Sequence, residues 1–170
     1  MASVFVESGI EFDFTKALFV KEHDKPLSPT SDGNTIFGGV DFRIEDAQGL
    51  LWIEVKSWHL SRFSSKDRGG QTRSFLAKMQ SKSLPLTIRS KFLGTTAFYA
   101  WNAIPLPEKL RFVILLEPPR SQDMALMVAF QDRMRSKMNP PRSWRLKLTL
   151  NVVTLAGWNL YFSDYPAHLL

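Results

Sequence analysis

The chain has 170 residues and a formal net charge of +6, a length that suits one domain with a sizeable core. It contains no cysteine, which excludes a disulfide framework and a thiolate zinc site and is consistent with a cytoplasmic protein. Its longest apolar run, residues 124–130, is far shorter than the ~20 residues that a membrane helix needs. We therefore predict a single cytoplasmic domain over residues 1–170 that does not associate with membranes.

Charge is distributed unevenly along the chain. Residues 1–60 hold five basic and ten acidic residues, whereas residues 62–91 hold eight basic residues and one acidic residue. An acidic segment in a basic protein suits a site where cations bridge protein carboxylates to a polyanion. A solvated surface is the alternative interpretation of either stretch. Taken together, the two stretches favour a nucleic-acid partner.

The first part of the chain is predicted to form strands. Residues 10–14 alternate apolar and acidic side chains, which indicates a strand, and residues 15–24 fit either a second strand or a short helix. A Pro- and Gly-rich loop follows at residues 26–34. Residues 37–45 and 50–57 are two strands joined by a turn at residues 46–49, so we predict a β-hairpin here.

The remainder of the chain mixes helices and strands. The predicted elements are a loop at 62–70, helices at 71–82 and 84–103, a strand at 110–117, a helix at 121–138, a strand at 144–155, and a core strand or docked tail at 158–162. Ser83 is the expected cap of the second helix. This order predicts an α/β (α+β mixed) fold in which a central mixed β-sheet is flanked by helices.

The pairing register of the hairpin places polar residues together. If Ala47 and Gln48 form a two-residue turn, the numbers of paired residues sum to 95 and Asp41 lies opposite Glu54. Lys56 projects from the same face as Glu54, because side chains alternate along a strand. A longer loop that shifts the sum by two would keep these faces. The other face is apolar and pairs Phe42 with Ile53, Ile44 with Leu51, and Val40 with Val55.

This polar face can support metal chemistry. Opposed residues have Cβ atoms roughly 5 Å apart, so Asp41 and Glu54 could share one cation. Mg²⁺ suits the pair because it binds one or two carboxylates together with waters and phosphate oxygens. Lys56 could then orient a water molecule or stabilise developing negative charge. The alternative is an amphipathic hairpin whose outer face is solvated, with Glu54 and Lys56 as ordinary surface charges.

These residues carry a family resemblance. Gly39-Val40-Asp41, then twelve residues, then Glu54-Val55-Lys56 resembles the PD-(D/E)xK nuclease superfamily over residues 10–117, with Val40 in place of the name-giving proline. The resemblance implies a restriction-endonuclease-like fold and a Mg²⁺ or Mn²⁺ cofactor. It assigns catalysis to Asp41, Glu54 and Lys56, and metal binding to Asp41 and Glu54, with Val55 as the third residue of the metal site.

The resemblance leaves two further features open. Many members add a glutamate from a preceding helix; the candidates here are Glu7, Glu11, Glu22 and Asp24, among which we take Glu11 and Glu22 as candidate third acids. Some members also carry Gln and Tyr four residues apart on the next helix. Gln71 has the first position, but Phe75 has the second.

The expected function is hydrolysis of DNA, with RNA as the less favoured substrate. Residues after the motif strand that would bind nucleic acid are Arg62, Lys66, Arg68, Gln71 and Arg73. The alternative is a catalytically inactive module on the same fold that binds nucleic acid or protein. The Met-rich helix at 121–138 either packs internally or meets a second copy of the chain or a partner subunit.

Overall fold

The structure is a computed structural model that describes residues 4–22, 38–59, 64–119, 124–138, 140 and 146–170. The strands in these ranges are β1 Val4–Glu7, β2 Ile10–Asp13, β3 Phe19–Glu22, β4 Phe42–Asp46, β5 Gly49–Ser57, β6 Lys109–Glu117, β7 Lys147–Val153 and β8 Ala167–Leu169. The helices are α1 Arg68–Gln80, α2 Ser83–Trp101, α3 Met124–Lys137 and α4 Leu155–Tyr161.

A five-stranded mixed sheet is the centre of the fold, as predicted. Its strand order is β3-β4-β5-β6-β7. The first three strands are antiparallel neighbours, whereas β5, β6 and β7 run parallel. The parallel neighbours are joined by segments that contain α1 and α2 in one case and α3 in the other, because a parallel pair needs a long crossover connection.

The β4–β5 hairpin has the predicted register. Phe42 pairs with Ile53 and Asp46 pairs with Gly49, so the numbers sum to 95 and the turn has two residues. Asp46 Oδ1 accepts the N–H of Gln48 at 2.8 Å, and Gly49 has a φ of 105°, which suits glycine. The sequence pattern was sufficient here because a shift by one residue would have moved the apolar set out of the core.

The two faces of this sheet pack against different layers. We call the side carrying Trp52 and Phe112 the helix face, because these residues share a core cluster with buried side chains of α1, α2 and α3. We call the side carrying Phe42 and Ile53 the sheet face, because it packs against the small sheet β1-β2-β8 and α4. Met127, Met134 and Met138 of the Met-rich segment are buried in the helix-face core, so these three pack internally.

Strand β4 begins at Phe42, whereas the sequence predicts a strand from residue 37, which itself lies outside the described residues. The N–H of Val40 donates to Thr95 Oγ1 of α2 at 3.0 Å, so residues 38–41 lie against this helix. Val40 is buried in the helix-face cluster and does not share the sheet face with Val55. The predicted Val40–Val55 pair is wrong, because alternation along a strand does not reveal where a helix contact takes the chain out of the sheet.

Gly94 permits this approach to α2. A Cβ atom at position 94 would lie 2.0 Å from the carbonyl oxygen of Gly38, well inside contact distance. We predict that Gly94→Ala lowers the free energy of unfolding by about 1–3 kcal/mol, because backbone atoms cannot rotate away from an added methyl group as side chains can. Urea denaturation followed by circular dichroism measures the change.

The control is Gly70→Ala in the first turn of α1, where an added Cβ has no neighbour within 4 Å. Alanine favours a helix over glycine by about 1 kcal/mol, so this variant should be as stable as the parent or more stable. Equal stability of the two variants would contradict the close approach at Gly94.

The C-terminal region differs in part from the prediction of a core strand or a docked tail at residues 158–162. Trp158 lies in helix α4 and not in a strand, and its burial in the sheet-face core agrees with a docked tail. Thr154 caps this helix by accepting the N–H of Gly157 at 3.2 Å, and the Trp158 indole donates to the carbonyl of Tyr165 at 2.6 Å. A helix this short has almost no periodicity to detect, so its contacts with the sheet-face core decide its conformation.

Helix boundaries are shifted by a few residues. Helix α1 begins at Arg68, three residues before the predicted start, and Ser83 is the first residue of α2, with Lys82 in the cap position. Ser121 and Trp144, at the predicted starts of the next helix and strand, lie outside the described residues. Within the described ranges, no helix combines the length and apolar character required to cross a bilayer.

Candidate active site

Two buried carboxylates lie at the junction of the hairpin and α2. Glu54 is on β5 and shares the helix face with Trp52, and its side chain is fully buried. Asp41 stands one residue before β4 and is almost fully buried. Asp41 Oδ2 accepts the backbone N–H of Val55 at 2.6 Å. The side chain of Asp41 thus satisfies a backbone donor of β5 at a point before β4 begins. This burial contradicts the solvated-face interpretation.

Lys91 of α2 joins the two carboxylates. Its Nζ lies 2.7 Å from Asp41 Oδ1 and 3.0 Å from Glu54 Oε1. Lys91 precedes Thr95 by one helical turn, so the contact that draws residue 40 to the helix also positions the ammonium group. Sequence reasoning missed this residue. The available signal was its spacing of three from Ile88 and four from Thr95, both of which are buried.

Lys56 completes the cluster. Its Nζ lies 2.6 Å from Glu54 Oε1 and donates to the carbonyl of Val55 at 3.0 Å. The Lys56 side chain is 25% exposed and that of Lys91 is 18% exposed, whereas the carboxylates are buried. The structure therefore brings together the predicted Asp41, Glu54 and Lys56, with the two ammonium groups on the side nearer to solvent.

Burial and charge act in opposite directions on Glu54. Burial, and then the neighbouring Asp41 carboxylate, raise the pKa of Glu54 to about 7, although Lys56 and Lys91 lower it. Burial also lowers the pKa of Lys91, but Glu54 and Asp41 together raise it above its ordinary value, so Lys91 stays protonated. Glu54 is therefore an acid that can carry a proton near neutral pH, beside a permanent cation.

Two residues of the cluster, Asp41 and Glu54, are of the type that binds divalent cations. Glu54 Oε2 is buried with no hydrogen-bond partner among the described residues, so this oxygen has unused acceptor capacity. A cation in the form of Lys91 already joins Asp41 to Glu54, so these carboxylates accommodate positive charge between them. No group of three or more His, Asp or Glu side chains suited to a metal occurs within the described ranges. Asp41 and Glu54, with the nearby carbonyl of Val55, are the residues that could hold the ion.

Glu22 lies away from this cluster. It pairs with Phe42 across β3 and β4, and directly opposed residues share a face, so Glu22 is on the sheet face. Glu54 is on the helix face of the same sheet. The pairing of β3 with β4 thus directs this candidate third acid away from the two carboxylates. Asp24, another candidate, lies outside the described residues.

Glu11 is also outside the cluster. It lies on β2 between Ile10 and Phe12, which are buried in the sheet-face core, so alternation turns Glu11 away from the five-stranded sheet. Its Oε1 lies 3.1 Å from His168 Nε2 on β8. Neither Glu11 nor Glu22 therefore joins Asp41 and Glu54.

The residues predicted to bind nucleic acid lie at or near the start of α1. Lys66, Arg68 and Arg73 are exposed and Gln71 is half-buried, whereas Arg62 is outside the described residues. Helix α1 packs by Phe75 on Trp58, whose ring centroid is 5.5 Å away. Because Trp58 follows directly after β5, the middle of α1 packs near the end of the strand that carries Glu54 and Lys56.

Arg43 is another cation of the helix face, where Lys21 is its strand partner. Its guanidinium lies 5.2 Å from the ring centroid of Phe19 and 5.1 Å from that of Tyr99. These are cation–π distances, so its charge faces aromatic rings. Among the described residues, Lys56 and Lys91 are the cations within ion-pair distance of the two carboxylates.

No protein-family model, curated protein sequence or solved structure matches this chain significantly. The distinguishing property of the cluster is a pair of buried carboxylates joined by the Lys91 ammonium group, with the Lys56 ammonium group on Glu54.

Proposed function

We propose that this protein is a divalent-cation-dependent nuclease with a restriction-endonuclease-like fold, which hydrolyses DNA and, less favourably, RNA in the cytoplasm. The observation that carries the proposal is the burial of Asp41 and Glu54 around one shared cation position, with Lys56 beside them. Burying two carboxylates is costly unless cations compensate them, so a site of this kind is expected to serve a charged ligand.

Each residue of the chain has a distinct task in this proposal. Asp41 and Glu54 would hold Mg²⁺ or Mn²⁺, with Val55 contributing its carbonyl. The ion would supply Lewis-acid polarisation of the scissile phosphate. Lys56, whose ammonium contacts Glu54 and is partly exposed, would orient the attacking water and stabilise negative charge developing on the phosphate.

The exposed basic residues of α1 support a polyanionic substrate. We predict that the double variant Arg68→Ala/Arg73→Ala weakens DNA binding and lowers the slope of log affinity against log salt by about 2, because each lost phosphate contact contributes about 1. Fluorescence anisotropy with a labelled duplex at several salt concentrations measures both quantities.

The matched control is Lys109→Ala/Lys147→Ala. These exposed residues pair with each other at the beginning of β6 and β7, at the opposite end of the parallel strands from the site. The control removes the same charge, so it should leave the salt slope nearly unchanged. Equal effects of the two double variants would contradict a DNA surface on α1.

A cleavage assay tests the proposal directly. Supercoiled plasmid, single-stranded DNA and RNA are incubated with Mg²⁺ or Mn²⁺, with and without EDTA. We expect cleavage of DNA that EDTA abolishes, because the carboxylates need a divalent cation to engage phosphate. Cleavage that survives in both Glu54→Ala and Lys56→Ala would contradict this site.

A second candidate is a catalytically inactive module that binds nucleic acid or protein. It is favoured by the neutralisation of both carboxylates by Lys56 and Lys91 and by the lack of a third acid within the described ranges. Salt-sensitive DNA binding without cleavage under any divalent ion would select this candidate.

A further inference from the structure

The ammonium group of Lys91 contacts one oxygen of each carboxylate. It lies 2.7 Å from Asp41 Oδ1 and 3.0 Å from Glu54 Oε1. The other oxygen of Asp41, Oδ2, accepts the N–H of Val55 at 2.6 Å. The oxygen of Asp41 that does not accept this backbone hydrogen bond, Oδ1, is the one that Lys91 contacts, so a cation that binds there meets Lys91.

We propose that Lys91 is a resident counterion that a divalent cation must displace, so that metal binding and the pairing of Lys91 with the two carboxylates exclude each other. This inference rests on the proposed function, because it assumes that Asp41 and Glu54 hold the metal. Lys91, which contacts both carboxylates, would control the affinity for the metal. Lys56 would not, since it contacts Glu54 alone of the two carboxylates.

Electrostatics makes simultaneous occupancy unfavourable. Lys56 and Lys91 already balance the charge of the two carboxylates, so a divalent cation added beside both would leave two uncompensated positive charges in a buried site, where little water screens their repulsion. The Lys91 side chain is partly exposed, and its long flexible stem could carry the ammonium toward solvent while α2 stays in place. The metal-free protein keeps its carboxylates compensated, at the cost of a weaker affinity for the metal.

Titration of the metal alone tests the inference. Mn²⁺ is titrated calorimetrically into the wild type, Lys91→Met and Arg89→Met, and melting temperatures are recorded with and without Mn²⁺. Arg89→Met is the matched control, because it removes one charge from an exposed position of the same helix. We expect Lys91→Met to bind Mn²⁺ at least about tenfold more tightly than the wild type, and Arg89→Met to stay within about twofold.

The wild type provides a second measurement that does not depend on the folding of a variant. Lys91 is acetylated with an amine-reactive reagent, and the modified fraction is followed by mass spectrometry with and without saturating Mn²⁺. Displacement should increase the labelling of Lys91 severalfold, whereas labelling of Lys82, exposed at the start of α2, should not change.

The outcomes separate this inference from the proposed function. Mn²⁺ binding by the wild type with no gain in Lys91→Met, or with Lys91 still protected from labelling, overturns the role of Lys91 and leaves the metal site intact. Absence of Mn²⁺ binding in the wild type and in both variants overturns the metal site and this inference together.

Discussion

Replacing Glu54 with glutamine is expected to lower divalent-dependent DNA cleavage by at least about a thousandfold, which corresponds to about 4 kcal/mol of lost transition-state stabilisation. The amide has nearly the same shape but lacks the negative charge that would bind the cation. Glu54 is fully buried on β5, so water cannot replace the lost carboxylate. Initial rates of plasmid cleavage at saturating Mg²⁺ measure the effect.

Glu45→Gln is the control for this experiment. Glu45 is exposed on β4 and pairs with Leu50, so the variant removes one charge from the same hairpin outside the cluster. We expect it to cleave at close to the wild-type rate. Circular dichroism establishes that both variants are folded, and a folded Glu54→Gln variant with a rate within tenfold of the wild type would refute the assigned site.

Replacing Lys91 with methionine should destabilise the metal-free protein by about 3 kcal/mol at pH 8, because it leaves two buried carboxylates with Lys56 as their remaining compensation. The cost should depend on pH. Burial and Asp41 raise the pKa of Glu54 to about 7 in the folded chain, whereas the ordinary value is 4.5. The unfolded chain therefore loses this proton at a lower pH than the folded chain does, and the free energy of unfolding falls as the pH rises from about 4.5 to about 7.

The sign of the difference between the two proteins follows from this shift. Lys91 lowers the pKa of Glu54, so its removal raises that pKa further and makes ionisation more costly. The loss of unfolding free energy in Lys91→Met should therefore be largest above pH 7, and it should become smaller as the pH falls and Glu54 takes up its proton. Urea denaturation in EDTA at pH 5.5, 7 and 8.5 measures it.

Arg89→Met serves again as the control and should change stability by no more than about 0.5 kcal/mol at each pH, as expected of an exposed side chain. A deficit of Lys91→Met that is small at all three pH values would mean that the ammonium does not compensate the two carboxylates.

The hairpin could be derived from the sequence because two local rules agree there. Apolar residues alternate with a period of two, which selects the face, and a two-residue turn sets the register that pairs Phe42 with Ile53. The shared face of Glu54 and Lys56 follows from the same period. The mixed sheet also followed from the order of the elements.

Packing decided the remaining features. Lys91 reaches Asp41 across fifty positions of sequence, and this contact exists because Gly94 lets residues 38–41 lie against α2. Likewise, Glu22 lies opposite Phe42 and is therefore on the sheet face, away from the cluster.

The sequence alone therefore yields the hairpin, its register and the proximity of Asp41, Glu54 and Lys56, because these depend on neighbours within one short segment. The fold adds the cation that joins the carboxylates and places Glu11 and Glu22 away from them. Such contacts depend on how a helix and two sheets pack in space, and the periodicity of one segment carries no information about the distance to another.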